Sequence, residues 1–245
     1  TGEDPVAVRE VVLPLVRTLC RETPMGVSVC LGTLSEPLYD ELQAAGASLY
    51  IIKFELADAT RYEQLEAPGT LAERVRHIRL LAQRGWRVSS GFIAGLPGQD
   101  TDALLANLRL ARELPLDGCS VSPFIPGEAT PLAHEPVGAV DTALNCMAAL
   151  RLMRSELVIP AVSELNLTGA DDGYRRGLRA GANLCTINLT PAEMRGDYLL
   201  YKRERFIMNE ERVLNAIAAE GLEVSPTGMT EYWHPKPLPV ETMTG

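Results

Sequence analysis

The sequence lacks the marks of several protein classes. Its five cysteines (Cys20, Cys30, Cys119, Cys146 and Cys185) are odd in number and none stands in a Cys-x-x-Cys spacing, which argues against a disulfide framework and a metal knuckle. We expect buried free thiols instead. No apolar stretch approaches the ~18 to 20 residues that span a bilayer, and the first residues lack the pattern of a signal peptide. These absences predict a soluble, cytoplasmic protein with no membrane partner.

Basic residues are also few. There are 23 Lys and Arg against 32 Asp and Glu, a net charge of -9, and the basic residues form no long run. A nucleic acid partner is therefore not expected. The 245 residues, 46% of them hydrophobic, are enough to bury the core of one barrel-sized domain.

Short β-branched runs alternate with longer helical patterns, which predicts an α/β fold with parallel strands. The six predicted strands are 27–31, 49–56, 88–94, 119–125, 159–163 and 184–189. Helices are predicted at 6–21, with a distortion at Pro14, and at 37–45, 71–84, 101–114, 141–155, 173–180 and 210–220. The helix at 71–84 has the clearest ends, because Thr70 and Glu73 form a capping box and Gly85 follows as a stop.

Six βα units are too few to close an eight-stranded barrel. We therefore expect an incomplete (β/α) TIM-type barrel with outer helices, in which about two strands would lie upstream of Thr1. The alternative is a complete, open sheet of six strands. Since the strand rhythm stops after Pro191, residues 1–195 are assigned to the partial barrel and residues 196–245 to a short, peripheral C-terminal segment.

Reactive groups of a parallel barrel gather at the carboxyl ends of its strands. Lys53 and Glu55 stand two apart in one predicted strand, hence on one face, where they either pair with each other or bind a polar ligand. The segment 91–99 is a strand flanked by glycines, where a flat ligand could lie against the backbone. The loop 122–132 contains three prolines and is expected to be ordered.

Taken in order, these segments resemble the radical S-adenosylmethionine (SAM) enzymes of the biotin synthase group, and most of all its HydE and methylornithine synthase branch. The resemblance covers residues 1–195. It rests on these motifs: Gly2-Glu3-Asp4-Pro5, Lys53-x-Glu55, Arg74, Gly91-x-Ile93-x-Gly95-Leu96-Pro97-Gly98-Gln99, Pro123-Phe124-Ile125-Pro126 with Thr130-Pro131-Leu132, and Gly181-Ala182-Asn183 leading to Asn188-x-Thr190-Pro191.

The resemblance implies a SAM site. Gly2, Glu3 and Asp4 match a strand end that holds the ammonium of SAM, and Glu55 matches an acidic residue that contacts polar groups of the cofactor. Arg74 matches an arginine that binds the SAM carboxylate, a task that suits a planar bidentate donor. Gly91, Ile93 and Gly95 match the strand against which adenine packs.

Two residues depart from the HydE pattern, and the cluster-binding cysteine motif is missing. Lys53 stands where that pattern has arginine, so the cofactor or substrate nearby would be held differently. Glu164 stands at a strand end where HydE is apolar, and either reaches a basic group of another substrate or faces solvent. The Cys-x-x-x-Cys-x-x-Cys loop that binds the family's [4Fe-4S] cluster does not occur, and the chain offers no metal ligands of its own.

The resemblance thus implies a fragment of a radical SAM enzyme. The intact enzyme would cleave SAM through a [4Fe-4S] cluster to a 5'-deoxyadenosyl radical that acts on a small-molecule substrate in the barrel. An electron donor such as flavodoxin or ferredoxin would be its partner. Sulfur insertion, rearrangement and maturase chemistry all remain open. The alternatives are a clusterless barrel that binds SAM or a related nucleoside, and an ordinary aldolase-like or phosphate-binding barrel.

Overall fold

The computed structural model describes residues 3–128, 130–168, 172–197 and 207–233. Within them six strands form, at β1 (Val27–Val29), β2 (Ala47–Ile51), β3 (Arg87–Ala94), β4 (Gly118–Pro123), β5 (Pro160–Ala161) and β6 (Leu184–Cys185). All pairings are parallel: β1 to β4 form one sheet in sequence order, and β5 pairs with β6. An isolated bridge between Gly118 and Val158 joins the two sheets. The predicted α/β fold and partial barrel are confirmed.

Helices follow the strands and cover one face of the larger sheet. Their bounds are α1 (Pro5–Ala7), α2 (Leu13–Glu22), α3 (Glu36–Ala44), α4 (Ala59–Gln64), α5 (Leu71–Gln83), α6 (Thr101–Glu113), α7 (Val140–Met153), α8 (Gly173–Arg179), α9 (Glu210–Ala219) and α10 (Met229–Tyr232). Short 3-10 helices lie at Ser163–Thr168 and Ala192–Asp197. Among the described residues, no helix is long and apolar enough to cross a membrane.

Local sequence explains several helix ends. The capping box of Thr70 and Glu73 begins α5, and Gly85 ends it with a φ of 83°. The distortion expected at Pro14 is present as a π-helical segment (Val8–Val12) between α1 and α2, because Pro14 has no N–H to donate to the preceding turn. Helix α4 was not predicted, although Asp58 caps it by accepting from the Arg61 amide at 3.0 Å.

The main core lies between the sheet and its helices. Alternate residues of β2 and its extension, Tyr50, Ile52 and Phe54, point into this core and are at most 1% exposed. A smaller apolar cluster of Leu56, Tyr62, Leu96 and Phe124 lies where the loops after β2, β3 and β4 meet. This loop cluster covers the strand ends that carry the candidate site.

The cysteines are free thiols, as expected, but not all are buried. Cys119 and Cys146 are buried, and burial raises the pKa of Cys119 to about 12 and that of Cys146 to about 11. Cys20 and Cys185 are half-buried. Cys30 is exposed, which corrects the expectation for that residue: it alternates with the buried Val29 and Leu31 and so lies on the face opposite the helix-covered core.

The C-terminal part of the chain shares the main core. Met208, Val213 and Ala216 are buried in it, and Glu220 pairs with Arg175 and Arg179 of α8. The domain boundary at residue 195 stays a prediction. The charged stretch 201–205 and the proline-rich tail fall outside the described residues.

Candidate functional site

Four of the charged residues singled out in the sequence act on one region at the carboxyl end of β1. The Cys30 thiol, just past this strand, feels the charges of Lys53, Glu55 and Arg74. Although Cys30 is exposed, its pKa is raised, chiefly because the surrounding protein reduces its hydration. Glu3 joins the group through its ion pair with Arg74. The structure therefore brings together the charged residues that the sequence marked separately.

Glu3 is fastened to the loop that follows β1. Its Oε1 accepts hydrogen bonds from the amide and the hydroxyl of Thr33, both at 2.6 Å, and lies 3.5 Å from Nη2 of Arg74. Its side chain fills the space that a Cβ at Gly32 would need, 2.3 Å from the Glu3 Cγ. Burial raises the pKa of Glu3, but the Thr33 hydrogen bonds and the Arg74 charge outweigh it and leave this pKa below its usual value.

Arg74 is a buried arginine on α5, 7% exposed. Its Nε donates to the Tyr62 hydroxyl at 3.4 Å, and its Nη2 donates to the Pro68 carbonyl at 3.2 Å. The loop after α4 and the capped start of α5 thus hold the guanidinium in one orientation. A ligand carboxylate that binds Arg74 would meet it beside Glu3.

Lys53 and Glu55 lie beyond β2, which ends at Ile51, so their placement within one strand is corrected. They are nevertheless paired, with 3.5 Å between the Lys53 Nζ and the Glu55 Oε2. Glu55 has a φ of 61°, and the Leu56 amide donates to the Phe54 carbonyl at 2.7 Å across it. This is a three-residue turn of the strained, positive-φ kind. The strand stops early because the register slips: Ile51 pairs with Ser89, but the next bridge joins Glu55 to Phe92, with one extra residue on the β2 side.

The Glu55 carboxylate is only partly satisfied. Its Oε2 is buried and has no hydrogen-bond partner among the described residues, although it forms an ion pair with the Lys53 ammonium. Both side chains remain about a quarter to a third exposed, at 26% for Lys53 and 32% for Glu55. A carboxylate with spare acceptor capacity and access from outside can bind a ligand's hydroxyl or ammonium group.

Gly91 in β3 and Gly95 just after it are glycine for a different reason from the one expected. A Cβ at Gly91 would lie 2.2 Å from the Ser120 Oγ and 3.1 Å from the Lys53 Cε. A Cβ at Gly95 would lie 2.8 Å from the Cα of Gly138. The space cleared by both glycines is thus filled by the chain itself rather than left for a flat ligand. Ile93 is half-buried and packs against the loop cluster. A contact of these residues with adenine stays a prediction.

Asp4 and Gly2, the two other positions assigned to the SAM site, add less to the described site. Asp4 caps its own helix, because its Oδ1 accepts from the Val6 amide at 2.9 Å and the Ala7 amide at 3.2 Å. That leaves Glu3 as the carboxylate directed at Arg74. Gly2 lies outside the described residues.

A buried histidine lies behind the site, on α5. The His77 Nδ1 lies 2.8 Å from the Tyr39 hydroxyl, which also accepts from the Leu34 amide at 3.0 Å, and its Nε2 lies 2.8 Å from Arg76. Because arginine can only donate, Nε2 must accept and the ring is neutral. Burial, with the charges of Arg76 and Arg74, lowers the pKa of His77. This network fixes the loop that Glu3 contacts.

Among the residues that the structure describes, the ends of β5 and β6 carry no comparable charge cluster. Glu164 is half-buried and accepts from its neighbour Ser163 at 3.3 Å, and the Tyr174 hydroxyl contacts the Thr186 Oγ1 at 2.8 Å. Within the described ranges, no group of three or more His, Cys, Asp or Glu side chains could hold a metal ion. The site as described suits an organic ligand with opposite charges.

Sequence reasoning named Gln99 in a motif without giving it a role, and it missed two further supporting residues, Thr33 and Asn107. Gln99 accepts from the Gly95 amide at 2.7 Å and donates to the Ile93 carbonyl at 3.1 Å, closing the loop after β3. Thr33 holds Glu3. Asn107 accepts from the Ala57 amide at 2.6 Å and is 1% exposed. Asn107 could have been found, because it interrupts the apolar stripe of α6 formed with Leu104, Leu108 and Ala111.

Comparisons with known proteins place the chain among a set of related sequences. It is 30% identical over 201 residues to the [FeFe] hydrogenase maturase subunit HydE of Thermotoga maritima, covering 82% of this chain and 57% of that protein. It is 27% identical to the 3-methylornithine synthase of Methanosarcina acetivorans, over 92% of this chain and 64% of that one. It is 32% identical to the biotin synthase of Streptomyces avermitilis, over 71% and 42%. No family model matches.

Solved structures give the same picture. Methylornithine synthase (PylB) superposes with a TM-score of 0.79 at 26% identity, over 91% of this chain and 66% of that one. HydG, a maturase of the [FeFe]-hydrogenase, superposes with a TM-score of 0.72 at 14% identity and shows the shared fold. The chain spans about three fifths of the length of the first curated relatives it matches.

Proposed function

Because this chain belongs to the radical SAM group of HydE, 3-methylornithine synthase and biotin synthase, we propose that the intact protein is a radical SAM enzyme. It would act on a small molecule inside its barrel. The observation that carries the proposal is the gathering of Glu3, Glu55 and Arg74 at the carboxyl end of β1 and β2. SAM carries an ammonium, a carboxylate and ribose hydroxyls. These are the groups that two carboxylates and a guanidinium bind.

Each residue has a proposed task in holding SAM. Arg74 binds the carboxylate of the methionyl part, and its burial keeps the guanidinium oriented without a further loss of side-chain freedom. Glu3, held beside Arg74 by Thr33, accepts from the ammonium. Glu55, whose carboxylate remains partly accessible from outside, accepts from hydroxyl or ammonium hydrogens. Lys53 pairs with the Glu55 carboxylate and holds it along the strand ends.

The described residues of this chain do not fit a [4Fe-4S] cluster. No Cys-x-x-x-Cys-x-x-Cys spacing occurs in the sequence, and Cys30 is the one cysteine that the described part of the chain places beside the site. We place the cluster ligands, and the strands that would complete the barrel, in the rest of the intact protein. Bound there, such a cluster would supply the electron for the reductive cleavage of SAM. An electron donor such as flavodoxin or ferredoxin belongs to the same proposal, as does the boundary near residue 195.

The experiment uses the full-length gene, expressed without oxygen and reconstituted with iron and sulfide. We expect the cluster-loaded protein to bind SAM and, with dithionite, to release 5'-deoxyadenosine. Glu55→Gln should weaken SAM binding, whereas Glu113→Gln, at the exposed end of α6, should not. SAM binding without cleavage by a cluster-loaded protein would favour the alternative, a barrel protein that binds SAM or a related nucleoside without radical chemistry. Failure to bind SAM would overturn both.

A further inference from the structure

The turn at Glu55 is held from two sides. On the sheet side, the Glu55 amide donates to the Gly91 carbonyl at 3.1 Å, and its carbonyl accepts from the Ile93 amide at 2.9 Å. On the far side, the Ala57 amide, two residues on, donates to the Asn107 Oδ1 at 2.6 Å. A residue at positive φ persists only where its surroundings fix it. These two attachments are what fix Glu55.

Asn107 costs folding stability at its position. It lies inside α6, where asparagine is a poorer helix former than leucine, and it is 1% exposed. Its Nδ2 is buried without a hydrogen-bond partner among the described residues, so this donor is removed from water without gaining a hydrogen bond, which costs stability. A leucine would suit the apolar stripe better. Among the described residues, the Asn107 side chain makes one hydrogen bond, which it accepts from the Ala57 amide.

We propose that Asn107 is a positioning residue for the ligand site: it holds the Ala57 amide so that the strained turn keeps the Glu55 carboxylate directed at SAM. The inference rests on the proposed function, because it assigns Glu55 to SAM binding. Asn107 itself does not touch the ligand. It acts through the backbone of the turn, from the helix that follows β3.

A matched control exists in the other sheet region. Asn166 is 0% exposed, and its Oδ1 accepts from the Gly173 amide at 2.8 Å, the same kind of bond as that of Asn107. It supports the start of α8, near β5. Losing either bond should lower the melting temperature, but only the loss of the Asn107 bond should change the site.

The test measures SAM affinity by calorimetry on the cluster-loaded, full-length protein, with melting temperatures recorded alongside. We expect Asn107→Leu to weaken SAM binding about 10- to 100-fold, the usual effect of removing a partner that orients a ligand-binding group. Asn107→Asp, which keeps an acceptor for Ala57, should recover most of the affinity. Asn166→Leu should bind SAM like the wild type. If Asn107→Leu does not fold, Asn107→Ala, which leaves room for water, takes its place.

A double variant tests whether the effect passes through Glu55. In a Glu55→Gln background, Asn107→Leu should add little further loss of SAM affinity, because the group it positions is already altered. Wild-type affinity in Asn107→Leu, or equal losses in Asn107→Leu and Asn166→Leu, would overturn the inference while leaving the proposed function intact. A wild-type protein that binds no SAM would overturn both.

Discussion

The two sheet regions of this chain differ in how their strand ends are built. Strands β1 to β4 pair through backbone ladders, and the loops that follow them are fastened by side chains: Thr33 to Glu3, Tyr62 to Arg74 and Gln99 to Gly95. Strands β5 and β6 are two residues long, and the Asn183 side chain accepts from the Ile159 amide at 2.8 Å where a ladder bond would be. The first region presents fixed charges, and the second presents neutral partners. The comparison favours the first region for the proposed ligand site.

We expect the largest effect, a loss of folding stability, when a closely packed glycine in each region is replaced by alanine. Gly91→Ala should destabilise the protein by about 3 kcal/mol, because the new Cβ would lie 2.6 Å from the Ser120 carbonyl oxygen and backbone cannot move aside cheaply. Gly177→Ala, in α8, would meet the Leu165 Cδ1 at 2.9 Å and the Ala161 Cβ at 3.1 Å. Since a leucine side chain can shift and alanine favours a helix, its net change should be under about 1 kcal/mol. Urea unfolding measures both.

Equal losses of stability in the two glycine variants would show that the regions are packed alike. A greater loss for Gly177→Ala would reverse the comparison. The same unfolding curves also report the slope against urea, which should not change if each variant alters only the folded state.

The contrast between the regions also explains what the sequence could predict. The order of strands and the ends of α5 were predictable, because they depend on local periodicity and capping at Thr70 and Glu73. The early end of β2 was not, because the extra residue between Ile51 and Glu55 is defined only by the pairing with the distant strand β3, at Ser89 and Phe92. The reason for glycine at position 91 was equally hidden. It depends on the Ser120 and Lys53 side chains from two other segments.

A second prediction compares two arginines. Arg74→Lys should weaken SAM binding about tenfold, because an ammonium cannot donate to Tyr62, Pro68 and a ligand carboxylate in one plane. Arg151→Lys serves as the control: Arg151 donates to the Gly181 carbonyl at 2.9 Å, in the turn before β6. Its SAM affinity should match the wild type. Similar losses in both variants would mean that affinity follows overall stability rather than the site.

A third prediction concerns pH. Because the pKa of His77 is lowered in the folded state, chiefly by burial, the unfolded chain takes up this proton first as the pH falls. Above about pH 6.5, the usual pKa of histidine, His77 is neutral in both states and does not lower the stability of the fold. As the pH falls from there to the folded-state pKa, His77 lowers the stability increasingly. His77→Gln should flatten this part of the stability curve. His134→Gln, which removes a histidine from the loop after β4, is the control.

The pH measurement sharpens the comparison because Tyr39 links His77 to the loop that holds Glu3. Urea midpoints between pH 5 and 7.5 should converge between wild type and His77→Gln as the pH falls. A wild-type curve that stays parallel to that of His77→Gln would show that His77 carries no titration in this range.

The smallest expected effect tests the second region directly. Glu164 accepts only from its neighbour Ser163, so Glu164→Gln should change stability by less than about 0.5 kcal/mol and leave SAM affinity at the wild-type value. Glu55→Gln is the same chemical change in the first region and should weaken SAM binding measurably. If both variants lost SAM affinity equally, the ligand would have to reach across both pairs of strand ends. The charges at the end of β1 and β2 would then be only part of its site.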